Sequence, residues 1–116
     1  MANMDDSILD TIKDMILGDK DEDSFDTELI ADINTAFGEL TQGGVGPLEG
    51  FEINGNTEVW RDFVTDVSML NLTKTYVFYK TKLVFSPPEN SFTCDALSKR
   101  ADELYWRLYI MGDEQQ

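Results

Sequence analysis

The stretch from Leu70 to Phe85, closed by Ser86-Pro87-Pro88, constrains this chain most, because it is its longest segment dense in large apolar side chains. Read with a period near 3.6, Leu72, Tyr76, Tyr79 and Leu83 form one stripe, and Leu70, Val77 and Val84 form a second about a third of a turn away. Such a helix would be covered on two sides. Read with a period of 2, Val77, Tyr79, Thr81, Leu83 and Phe85 alternate against Lys80 and Lys82, and propensity slightly favours this strand. Length favours the helix: 16 residues is long for a strand, and the remaining chain offers few strands to pair with it. Pro87 and Pro88 then end the helix, since neither donates a backbone hydrogen bond.

The flanking segments are read the same way. From Ser7, the spacing of Ile8, Leu9, Ile12, Met15 and Ile16 predicts a short amphipathic helix stopped at Gly18. Leu29, Ile30, Ile33, Phe37 and Leu40 predict a second, capped by Ser24 or Asp26 and halted near Thr41 by Gly43 and Gly44. Asn54-Gly55 within Phe51–Thr57 is the signature of a two-residue hairpin, so a small β element is expected there. Thr57 opens a single helical turn carrying Trp60, Phe63 and Val64 inward, and Asp66 or Ser68 starts the apolar helix. Beyond the prolines, Ser91 or Thr93 begins a last helix, with Leu97, Ala101, Leu104, Leu108 and Met111 on one face. Asp95 with Lys99 and Glu103 with Arg107 are acid-before-base pairs on its exposed side, while Trp106 and Tyr109 lie off the apolar stripe.

The expected fold is therefore mainly α, a small bundle of four main helices with a loop or short β-hairpin inserted between helices 2 and 3. It forms a single domain over residues 1–116, with loose ends at 1–6 and 112–116.

Composition narrows the chemistry. There is no histidine, the lone Cys94 has no activating base, and no carboxylate pair is placed for acid–base work, so an enzyme is not expected. Asp19 to Ser24 resembles the opening of a calcium loop, but Ser24 replaces the turn glycine and Ile30 the bidentate glutamate, so no metal is expected. The loop Gly44-Val45-Gly46-Pro47 lacks the lysine and hydroxyl of a phosphate-binding loop, and no cofactor is expected. No apolar run reaches the roughly 18 to 20 residues of a membrane span, and Asp5 and Asp6 stand where a secretory signal is positive.

A net charge of −14 disfavours ordinary binding to phosphates, and the charge is uneven. Residues 1–35 hold 11 of the 23 acids beside Lys13 and Lys20, whereas residues 73–107 hold six bases against four acids. That asymmetry suits head-to-tail contacts between identical subunits, or simply a solvated acidic face.

Several short pieces, taken in order, carry a resemblance. They are Asp32-Ile33-Asn34, Gly44-Val45-Gly46-Pro47, Trp60-Arg61-Asp62-Phe63, Tyr76-Val77, Lys80 to Phe85, Pro87-Pro88 and Glu103 to Leu108. Between about Phe25 and Leu108 the chain resembles the small head–tail connector proteins of tailed bacteriophages, the head-completion adaptors beneath the portal. It departs from them at Ser86, where an aspartate is expected, and at Gly43, where relatives often carry a larger residue.

The resemblance implies a non-enzymatic virion protein, made in the host cytoplasm and ending in the neck. It would assemble as a homo-oligomeric ring of around a dozen copies on the portal protein. A stopper or neck protein would follow on the tail side, and genome DNA would pass through the channel without sequence-specific binding. Acidic side chains lining that channel would keep it from gripping DNA. Candidate subunit or portal contacts are Trp60, Asp62, Phe63, Lys80, Lys82, Glu103 and Arg107, each with a structural alternative: helix ion pairs are usually solvated, and Trp60 also suits a core. The alternative function is an acidic DNA mimic that occupies a DNA-binding protein.

Overall fold

The structure, a computed structural model, describes residues 3–114. Four helices follow in order: α1 (Ile8–Leu17), α2 (Asp26–Gln42), α3 (Val67–Phe85) and α4 (Ser91–Glu114), with one 3₁₀ turn at Trp60–Asp62. The apolar stretch is thus helical. It packs along α4 and α2 and also touches α1, so the other helices are arranged around it.

Its buried face is Met69, Leu70, Thr73, Tyr76, Val77 and Thr81. This face takes members of both sequence stripes and runs between them, leaving Val84 largely exposed and Leu72, Tyr79 and Leu83 half-buried. Two threonines lie on it because α3 faces two helices at once and small side chains permit close approach. The Asp66 carboxylate caps α3 by accepting from Ser68 N at 2.9 Å, and the helix ends at Ser86 before the prolines.

The caps elsewhere differ from expectation in informative ways. Ser7 caps α1 and Gly18 closes it in the left-handed conformation at φ 73°. At α2, neither Ser24 nor Asp26 caps; Phe25 occupies the N-cap without a side-chain bond, and Asp26 instead meets Lys13. Lys13 Nζ lies 2.9 Å from Asp26 Oδ1 with the lysine side chain 4 % exposed, which pins α1 to the start of α2. At α4 the cap is Asn90, whose Oδ1 accepts from Phe92 N and Thr93 N. The C-terminus of α2 closes with Gly44 N donating to Thr41 O and Val45 N to Leu40 O, a pattern in which Gly44 takes a positive φ and Val45 packs beside Leu40.

Of the loop or short hairpin expected between α2 and α3, the chain forms the loop, and no β-strand occurs among the described residues. The short segment around Ile53 has no sheet to join, so Asn34 on α2 supplies the pairing: its Nδ2 donates to Ile53 O at 2.9 Å and its Oδ1 accepts from Ile53 N at 2.7 Å. Further on, Val59 forms an isolated antiparallel bridge with Ser7.

The same contact involves the start of the chain. Met4 is buried, Arg61 N donates to Met4 O, Trp60 N to Asp6 O and Ile8 N to Glu58 O, so residues 3–8 are tied along residues 58–61. At the other end α4 stays helical to Glu114, with Gly112 buried against the Gly44 carbonyl. Residues 1–2 and 115–116 of the expected loose ends lie outside the described residues.

One core joins all four helices and the α2–α3 loop. Its aromatic centre is Phe37, against which Phe63 (4.6 Å between ring centroids), Phe51 (4.9 Å) and Trp60 (6.3 Å) pack. A ring of this size removes about 150 to 250 Å² from water, so these four residues carry much of the drive to fold. Gly46 is required there: its φ is +84°, and a Cβ would collide with the Phe63 ring.

Candidate functional site

The candidate contact residues divide sharply once placed in the fold. Trp60 and Phe63 are buried in the subunit's own core, Phe63 with one edge on the concavity beside the glycine loop. Trp60 Nε1 donates to Thr11 Oγ1 at 3.3 Å, satisfying the indole inside the subunit. Asp62 is exposed, but its Oδ2 accepts from Val59 N at 3.0 Å and closes the 3₁₀ turn. Arg61 pairs with Asp5 at 2.9 Å, and this hydrogen bond, then the guanidinium charge, holds the Asp5 carboxyl below its ordinary range. Trp60-Arg61-Asp62-Phe63 is therefore a clasp between the N-terminus, the loop and the core.

Lys80 turns inward to Glu39, with Nζ 3.3 Å from Oε2, and Tyr76 donates its hydroxyl to the same Oε2 at 3.2 Å. Burial and then the Glu39 charge push the Tyr76 phenol above its ordinary value. Lys82 stays half-exposed, and no carboxylate among the described residues lies within ion-pair distance of it.

Glu103 and Arg107 lie on the surface of α4. With Arg100 they border a groove whose other wall is Thr75 and Tyr79 of α3. Neither the Glu103 and Arg107 pair nor the Asp95 and Lys99 pair closes into an ion pair, so these cations remain free toward solvent. Two guanidinium groups against one carboxylate leave the groove positive.

Alongside runs an apolar strip. Phe92 is 80 % exposed, Trp106 60 % and Ile110 54 %. At helical spacing these three share one side of α4 with Lys99 and Glu103, opposite the inward stripe of Leu97, Ala101, Leu104 and Leu108. Trp106 is braced edge-on by Tyr109 (5.6 Å) and Tyr105 (6.3 Å). The expectation drawn from Trp106 and Tyr109 thus extends to Phe92 and Ile110, which the same period could have located.

A hollow of about 440 Å³ lies beside α1, with Lys74 of α3 contributing to its lining. Asp6, Asp10 and Asp14 line it with Met15, Lys20 and Lys74, and neither lysine forms an ion pair with those aspartates. Three carboxylates against two ammonium groups leave it negative. A third concavity, about 620 Å³, opens beside the glycine loop between Leu48, Arg61, Asp62 and Met69.

Among the described residues, no group of three or more Cys, Asp or Glu side chains is placed to hold a metal ion. Among the same residues, no helix is long and apolar enough to cross a membrane. Cys94 is half-buried, its thiol donating to Pro88 O at 3.1 Å. The arrangement offers surfaces that can bind another macromolecule: a positive groove, an uncovered apolar strip and a negative hollow. No curated protein and no solved structure matches the chain. Residues 8–115 match the family model described as phage connector protein.

Proposed function

The chain belongs to the phage connector protein family, and from that premise we propose that it is a structural virion protein joining head to tail. In this reading it assembles as a ring on the portal protein and extends the DNA channel toward a stopper or neck protein. It is made in the host cytoplasm and ends in the neck of the virion, and DNA passes it without sequence-specific contact.

The observation that carries this reading is the uncovered strip of α4. Phe92, Trp106 and Ile110 face solvent on one side of a helix whose opposite side is already satisfied by the core. Exposed large side chains aligned on one face mark an interaction surface, and aromatics in particular serve as anchors. The unevenly distributed charge supports a contact between unlike faces of identical subunits.

Native mass spectrometry of the full chain, alone and mixed with the portal of its phage, tests the proposal. The expected result is a portal complex carrying a fixed, ring-like number of copies, whether or not the free chain is monomeric. A chain that leaves the portal bare and instead displaces DNA from an enzyme would support the DNA-mimic reading.

A further inference from the structure

Resting on the connector reading, we infer that neighbouring subunits join by seating the Trp106 strip of α4 in the acidic hollow along α1 of the next copy. The two surfaces are chemically reciprocal. Arg100 and Arg107 outnumber Glu103 in the groove and Trp106 nearby adds an indole N–H donor, while Asp6, Asp10 and Asp14 outnumber Lys20 and Lys74 in the hollow, so each surface carries a net charge opposite to the other. Arg pairs well with carboxylates at interfaces because its planar fork engages both oxygens.

The apolar parts also match. Trp106 projects from α4 with Tyr105 and Tyr109 packed edge-on against its ring, contacts that favour the outward conformation a docking surface needs. Met15, 39 % exposed, gives the hollow a thioether, a favourable neighbour for an indole. Lys20 and Lys74 also line the hollow and reduce its charge, but neither forms an ion pair with Asp6, Asp10 or Asp14.

The occupant is a second copy of this chain because both halves of the contact are already on it, on different helices. α1 packs on α2 and α3, and α4 packs mainly on α3, so strip and hollow belong to separate parts of the surface. A contact between unlike patches is heterologous. It repeats from copy to copy and closes into a ring when the rotation allows.

Charge exchange on the full chain, read by the number of copies on the portal in native mass spectrometry, tests the contact. Arg100→Glu with Arg107→Glu, or Asp10→Lys with Asp14→Lys, is expected to reduce loading at least about tenfold, since each places like charges across the joint. All four changes in one chain are expected to restore loading, because strip and hollow are again opposite in sign. Trp106→Ala is expected to weaken loading by a similar factor.

A second measurement does not depend on charge. In a Cys94→Ser chain, Asp14→Cys and Arg107→Cys bridged on the portal by a short bismaleimide should give a ladder of covalent multimers beyond the dimer. Charge-exchanged pairs that load like the wild type, or a ladder that stops at monomer, overturn the contact while leaving the connector reading intact. Loss with the α4 changes alone, unrescued and without a ladder, overturns it in favour of the portal as occupant of the strip. A wild-type chain that never loads on the portal overturns both.

Discussion

Asn34 exchanges two hydrogen bonds with the backbone of Ile53, one in each direction, at 2.9 and 2.7 Å. A side-chain amide has the same donor and acceptor as a peptide group, so one residue of α2 does for the loop what a neighbouring strand would have done. Replacing Asn34 by Ala leaves the N–H and C=O of a fully buried residue without partners, which should cost about 2–4 kcal/mol. Urea unfolding should show a lower midpoint with an unchanged slope. A midpoint within error of the wild type would mean that water replaces the amide.

Gly46 and Gly50 share positive φ angles of 84° and 94°, but only Gly46 lies against Phe63, and a Cβ at Gly50 meets nothing within 4 Å. Gly50→Ala should therefore cost about 1 kcal/mol for backbone strain alone. Gly46→Ala should cost roughly 2–4 kcal/mol, because overpacking of the aromatic centre adds to that strain. Thermal melts of the two variants side by side separate the terms; equal losses would remove Phe63 from the account.

The Lys13 and Asp26 pair is asymmetric, with side-chain exposures of 4 % and 33 %. Removing the carboxylate strands a buried ammonium, so Asp26→Ala should cost about 2–4 kcal/mol. Lys13→Met keeps the apolar stem and leaves an aspartate that reaches water, so it should cost about 1 kcal/mol or less. A double-mutant cycle by chemical denaturation measures the coupling, and the reverse order of the two losses would contradict the burial argument.

Tyr76 is an acid whose pKa is raised above the ordinary 10.0 in the folded chain, by burial first and by Glu39 second. As pH rises past that ordinary value the unfolded chain loses this proton while the folded chain keeps it. Folding then binds a proton, and stability falls with pH. The contribution is intact below about pH 10 and declines above it by up to about 1.4 kcal/mol per unit. Tyr76→Phe, which loses its bond to Glu39 at a cost of about 1 kcal/mol near neutrality, should show a flatter decline in alkaline unfolding curves. Parallel curves for the two proteins would assign alkaline unfolding to other groups.

The helices were legible in the sequence where one face is apolar and the other polar. Ile8, Leu9 and Ile12 on α1, Leu29, Ile33, Phe37 and Leu40 on α2, and Ala101 with Leu108 on α4 are all buried. α3 was ambiguous for a physical reason: it sits between partners, so apolar residues surround it, and two of its buried positions are Thr73 and Thr81. At Asn54-Gly55 the choice between loop and hairpin stayed open in the sequence, because a turn signal is local, whereas a strand needs a partner. That partner proved to be the side chain of Asn34, 19 residues away.

The candidate site was half legible. Glu103, Arg107, Trp106 and Tyr109 could be placed outside the core from their helical spacing. Trp60 and Phe63 were read both as turned inward and as candidate contacts, because nothing local distinguishes an aromatic that fills a core from one that anchors a partner; the structure puts both inside. Their burial depends on Phe37 and Phe51, contributed by other segments of the chain. The charge separation was visible in the sequence, but the hollow that gathers Asp6, Asp10 and Asp14 beside Met15 required the fold.

The two ends of α4 are unequally held. Between Ser91 and Arg100 only Cys94 and Leu97 are even partly covered, while Ala101, Leu108 and Gly112 are buried. Backbone amides in the first three turns should thus exchange with deuterium through local fraying, and those after Ala101 only through larger openings. A single continuous helix would carry a steep gradient of protection along its length. Association over Phe92 would flatten that gradient from the exposed end, so protection at the start of α4 would report what fraction of a preparation has found a partner.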